Sequence, residues 1–154
     1  MPNVFDNRLT DWIPYTPTGT WTTNTVYVGR WRRVGDSAEI QINVNISGNP
    51  DNTQLIINLP SGLVIDTSKQ SSDALNSLQN LSTYVGGVFC FGSGTIKAVA
   101  YYETPTSITA LYVYQGEFSS GDEFAELTGT VPWSDYHLGG TVSLSFSVPI
   151  VGWS

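Results

Sequence analysis

One histidine and one cysteine set the catalytic inventory of this chain. A Ser–His–Asp or Cys–His site would have to use His137, with Asp135 two residues away. No serine stands in a Gly-x-Ser-x-Gly elbow, and His137 reads as a surface-loop residue beside Trp133-Ser134-Asp135-Tyr136. Cys90 lies between Phe89 and Phe91 in an apolar run. A reactive thiolate needs an electropositive, accessible setting, so Cys90 reads as a buried packing residue. Asp122, Glu123 and Glu126 are the carboxylates close enough to act as a glycosidase pair or to hold calcium weakly. They follow Ser119-Ser120-Gly121 and read as a solvated loop, without EF-hand spacing. A lone cysteine excludes an intramolecular disulfide and any multi-cysteine zinc site. Glycine patterns that cradle phosphates are missing too. The expectation is no enzyme: no catalytic residue, no metal and no cofactor.

Composition narrows the partners. The 154 residues suffice for one domain, which at this size buries roughly 68–70% of its unfolded surface and needs no staple to fold. Thirteen acids against six bases give a net charge of −7. A phosphate backbone or an anionic membrane needs clustered positive charge, so no nucleic acid and no membrane is expected as partner. Polarity comes instead from 17 serines, 17 threonines and 10 asparagines. No apolar run reaches the 18 residues that would suggest a membrane span. The start, Met1-Pro2-Asn3-Val4-Phe5-Asp6, has neither the basic nor the apolar region of a secretory signal. Without one, the sequons at Asn45 and Asn80 read as chance.

The elements that must position any site are strands. Ala38, Ile40, Ile42, Val44 and Ile46 alternate with polar residues, as do Val142, Leu144, Phe146 and Val148. Successive strand side chains point to opposite faces, so each run has one buried and one wet face. Gly35-Asp36 suits a type II′ hairpin turn, because glycine accepts positive φ at its first position. That turn sets Arg32 against Glu39, Trp31 against Ile40 and Arg30 against Gln41. Further strands are predicted over Gln54–Leu59, Tyr84–Phe91, Thr95–Tyr102, Ser107–Tyr114 and Phe124–Val131. Ser107–Tyr114 is apolar on both faces and must be covered twice, by a second sheet or by a neighbouring subunit. One short helix is predicted over Ser72–Leu81. The fold class is all-β, an antiparallel β-sandwich over residues 21–154, preceded by an N-terminal arm over 1–20.

Aromatic residues in loop-like segments are candidates for surface binding: Trp12, Tyr15, Trp133 and Tyr136, whose amphipathic rings can meet a sugar or a protein. In the arm, Val4, Phe5 and Leu9 are candidates for docking.

Three segments in order resemble a known family: Trp31-Arg32-Arg33-Val34-Gly35-Asp36 with Glu39-Ile40, then Leu59-Pro60-Ser61-Gly62-Leu63-Val64-Ile65-Asp66, then Phe146-Ser147-Val148-Pro149-Ile150-Val151-Gly152-Trp153. With the opening Trp12-Ile13-Pro14-Tyr15-Thr16-Pro17 they are similar to the jelly-roll module of tailed-phage virion proteins, tail-fibre tips included. The resemblance implies a trimer of tumour-necrosis-factor-like sandwiches and no catalytic residues. Tyr112, Tyr114, Phe146, Val148, Ile150 and Trp153 are the candidate trimer contacts, because the two-faced strand and the apolar tail want extra cover. The leading expectation is a homotrimeric capsid decoration or cement protein on the virion surface, docked on the major capsid protein or another virion protein. Its motive is that the module begins almost at Met1, with no shaft before it. The alternative is a receptor-binding tail-fibre or tail-tip protein contacting host glycans. A polysaccharide hydrolase is disfavoured by the poor catalytic inventory.

Overall fold

A computed structural model describes residues 9–70, 84–91, 95–114, 123–129 and 140–154. Nine strands are found among them: β1 (Ile13–Tyr15), β2 (Thr25–Val34), β3 (Ser37–Ile46), β4 (Ile56–Asn58), β5 (Tyr84–Phe91), β6 (Thr95–Thr104), β7 (Ser107–Tyr114), β8 (Glu123–Glu126) and β9 (Gly140–Pro149). Every pairing is antiparallel. The one helical element among the described residues is a 3-10 turn, Thr67–Lys69, capped by Asp66, whose carboxylate accepts from the Ser68 amide. The all-β, antiparallel class expected from the alternation is what the chain adopts. The helix expected over Ser72–Leu81 falls outside the described residues.

Hydrogen bonding runs without a break through β1-β2-β3-β9-β5-β6-β7-β4, with β8 pairing β7. The sheet curls far enough for its two ends to meet. Just past β1, the Thr20 amide donates to Ile56 O at 3.0 Å, and the Asn58 amide donates to Thr18 O at 2.8 Å. The chain leaving the first strand thus pairs with β4, the last strand of the path. An open sheet edge is a template for aggregation, and this contact removes part of it. Residues 9–20 were expected to belong to a separate arm. From Leu9 onward they are instead built into the sheet: Leu9 bridges Val34, and Ile13–Tyr15 pairs with Gly29–Trp31. Three residues containing a proline carry no alternation, so this strand leaves no sequence signal.

The turn at Gly35-Asp36 fixes everything around it. Gly35 has φ +66°, while Asp36 does not share the positive φ, the pattern of a type II′ turn. The register is the expected one, with Arg33 opposite Ala38, Arg32 opposite Glu39, Trp31 opposite Ile40 and Arg30 opposite Gln41. β9 extends the same rows: Ile40 faces Phe146, Ile42 faces Leu144 and Val44 faces Val142. Inside the curl, these apolar rows meet Trp21, Leu55, Ile57, Val88, Cys90, Ile108, Ala110 and Leu127, all buried. Trp21 is fully buried and spends its only side-chain donor on Thr53 O at 2.8 Å. β7 is buried on both faces from Ser107 to Tyr112, as its two-sided apolar pattern requires. On one face lie Ile108, Ala110 and Tyr112 in the core. On the other, the Thr109 hydroxyl donates to Leu55 O at 2.9 Å and accepts from Gln54 Nε2.

Gly86 and Gly87 test this packing. A Cβ on Gly86 would collide with Ser145 O and the Phe146 backbone on β9, whereas a Cβ on Gly87 meets nothing. Overpacking a backbone approach costs about 1–3 kcal/mol. Gly86→Ala should therefore lower the urea midpoint clearly, while Gly87→Ala should leave stability within about 0.5 kcal/mol of the parent. Equal effects in chemical denaturation contradict the close β5–β9 approach.

Candidate functional site

The period of two that buries Ile40, Ile42, Leu144 and Phe146 also turns Glu39, Gln41, Asn43, Ser143, Ser145 and Ser147 outward. Cross-strand register lines them into rows. One row runs Arg30, Gln41, Ser145, Gly87, and the next runs Val28, Asn43, Ser143, Phe89. Small side chains along β9 and at Gly87 leave a trough between taller walls. Val28 and Arg30 rise on the β2 side, and Phe89 rises on β5. This stretch encloses about 670 Å³. A second stretch of about 530 Å³ continues past Trp12, Arg32, Glu39, Tyr84 and Ser147, sharing Gln41, Gly87 and Ser145 with the first. The result is one long groove on the outer face of β2-β3-β9-β5. Both volumes fall in the range of ligand sites.

Side chains in the groove are held in place. Arg32 Nε donates to Glu39 Oε2 at 2.6 Å and Arg30 Nε to Gln41 Oε1 at 2.8 Å. Ser143 Oγ donates to Asn43 Oδ1 at 2.8 Å. The Arg30 and Arg32 guanidinia each lie 4.7 Å from the centre of the Trp12 ring. Such cation–π contacts stabilise by about 0.5–1 kcal/mol at exposed sites and fix both arginines. The Ser145 and Ser147 hydroxyls have no partner among the described residues and face solvent. Val28 and Phe89 are 55% and 52% exposed, so the groove offers apolar surface beside its hydroxyls and amides. It can therefore hydrogen-bond and stack against a polar, flat-faced ligand.

Of the aromatic candidates, Trp12 stands in the groove wall. Tyr15 does not: it turns inward against Gly29, and its phenol oxygen is buried without a hydrogen-bond partner among the described residues. Burial pushes its pKa up, since the phenolate would lose its hydration. Alternation explains the difference, because Trp12 and Pro14 share the outer face while Tyr15 takes the inner one. Trp133 and Tyr136 lie outside the described residues, as do His137, Asp122, Val4 and Phe5. Leu9 is 64% exposed. Glu123 was expected in a turn and begins β8; Glu126, inside the strand expected over Phe124–Val131, ends it, and β8 pairs with β7. Among the described residues no three His, Cys, Asp or Glu side chains converge as a metal site would need.

The candidate subunit contacts are placed differently from their expectation. Tyr112, Phe146, Val148 and Ile150 are at most 7% exposed in the single chain. For these four, cover that a second sheet or a neighbouring subunit was expected to supply comes from the chain's own curl. Trp153 stays half-buried, stacked on Trp31 with centroids 6.1 Å apart. Tyr114 ends β7 opposite Glu123. Tyr84 and Phe89 were missed as groove residues. The signal existed: with Cys90 inward, a period of two sends Phe89 outward.

Comparison with protein-family models finds no match for this chain, and comparisons with curated proteins and with solved structures find none either.

Cys90 is fully buried, and desolvation pushes its thiol from 9.0 up to about 12. At pH 8 almost no thiolate forms in the folded chain. Iodoacetamide should label the native protein far more slowly than the urea-unfolded one. Equal rates contradict the inward placement of Cys90.

Proposed function

We propose that the protein is a non-enzymatic virion surface protein that acts by contact, with the outer groove as a receptor-binding face for host glycans. One observation carries this reading: a long trough floored by hydroxyl and amide side chains, walled by Trp12, Tyr84 and Phe89, and open to solvent. Sugars present alternating hydroxyl edges and apolar ring faces, and this combination suits both. The virion setting is supported by the three segments that resemble the tailed-phage jelly-roll module. Preformed hydrogen bonds among the groove side chains lower the ordering cost of binding. Ser145 sits in the trough, so Ser145→Trp should fill it without touching the core. On an array of bacterial surface glycans the parent should bind at least one class, and Ser145→Trp should weaken that binding at least tenfold with an unchanged melting curve. Undiminished binding by the filled variant sinks the groove reading.

A second reading, the capsid-decorating homotrimer, is favoured by a different surface. Leu9, Val34, Val64 and Val151 are all exposed at one end of the sheet. Leu9 bridges Val34, Ile150 N donates to Asp36 O, and Val151 N donates to Val64 O at 2.8 Å, which draws the four together. Exposed apolar clusters mark contact sites. Light scattering should give a trimer for the parent and a monomer for Val34→Asp/Val151→Asp. A monomeric parent at micromolar concentration leaves this surface without the role.

A further inference from the structure

The groove carries an unbalanced charge, and the imbalance specifies the kind of glycan. Two guanidinia share the Trp12 ring, but they are not equivalent. Arg32 is neutralised by Glu39 at 2.6 Å. Arg30 meets only the neutral Gln41 amide oxygen, through Nε, and its terminal nitrogens have no partner among the described residues. The other cations whose side chains are described are occupied. Lys69 pairs with Asp36 at 3.1 Å, and Arg33 donates to the backbone carbonyls of Gly35 and Ser154. In a chain of net charge −7, an exposed, uncompensated guanidinium is the exception. Its stem is fixed twice, by the indole and by Gln41, so the free edge of the fork is presented in a set orientation. A planar guanidinium edge matches a planar carboxylate through two parallel hydrogen bonds. The unpartnered Ser145 lies in the same cross-strand row, and Ser147 is two residues along β9.

We propose that the groove binds a carboxylate-bearing oligosaccharide, with an acidic sugar's carboxylate on the terminal nitrogens of Arg30 and ring hydroxyls on Ser145 and Ser147. This rests on the glycan-binding reading above and narrows its substrate class. One uncompensated cation suits one singly charged group. The chain's net charge of −7 opposes a polyanion such as a phosphate polymer.

The test is a binding panel of oligosaccharides that each carry a single galacturonate, glucuronate or sialic acid residue, each beside its carboxyl methyl ester, with a glycerol phosphate polymer included. At least one acid should bind about tenfold more tightly than its ester, as a charge-assisted hydrogen bond implies. That preference should shrink with added salt and vanish in Arg30→Gln, whereas Ser145→Trp should abolish binding of both forms. If acid and ester bind alike and only Ser145→Trp matters, the carboxylate site is refuted while the glycan reading stands. If the phosphate polymer is preferred to every carboxylate, or the preference survives Arg30→Gln, the assignment to Arg30 is wrong. If no sugar binds, or Ser145→Trp binds like the parent, this inference and the reading beneath it fall together.

Discussion

A strand can bury only every second side chain, and the two-residue turn at Gly35-Asp36 decides which ones those are here. Positive φ at Gly35 closes the hairpin with Trp31 opposite Ile40. That register sends Ile40, Ile42 and Val44 inward, and β9 must follow with Val142, Leu144 and Phe146. A slip of one residue would expose the whole apolar row, and each such large side chain lost from a core costs about 2–5 kcal/mol. The groove is the other half of the same decision. Once the apolar rows are inside, the glutamine, asparagine and serines between them have to be outside and side by side.

The depth of the groove comes from size. Serines on β9 and Gly87 on β5 are short, and the flanking strands carry Val28, Arg30 and Phe89. Gly86 contributes from beneath by letting β5 lie close to β9, where a Cβ would strike Ser145 O. Surface ion pairs such as Arg32–Glu39 add roughly 0–1 kcal/mol to stability. Their consequence here is positional. With Arg32 tied to Glu39 and both arginines against Trp12, the wall of the groove has a defined shape before any ligand arrives.

Curling lets one chain cover what its sequence leaves apolar on two sides. β7 is buried on both faces within the protomer, and the segment after β1 returns to hydrogen-bond β4. The residues with the strongest apolar character are consumed by this closure. Among the described residues, the outer groove and the neighbourhood of Val34 and Val151 keep apolar side chains exposed.

By itself the sequence determined the all-β class, the Gly35-Asp36 hairpin with its register, the span of β7 and the inward place of Cys90. Each of these rests on local physics: alternation over neighbouring residues, a turn that tolerates positive φ, or a run apolar on both faces. The short β1 was illegible, because three residues around Pro14 have no periodicity and are held by pairing with β2. Tertiary structure alone decided that β9 lies between β3 and β5. That placement joins Arg30, Gln41, Ser145 and Gly87, from four separate strands, into one row. It likewise decided that Phe146 and Val148 are buried in the chain's own core, and that Tyr15 packs inward while Trp12 meets two arginines. Alternation says which face a side chain takes; only the closed sheet says what stands across from it.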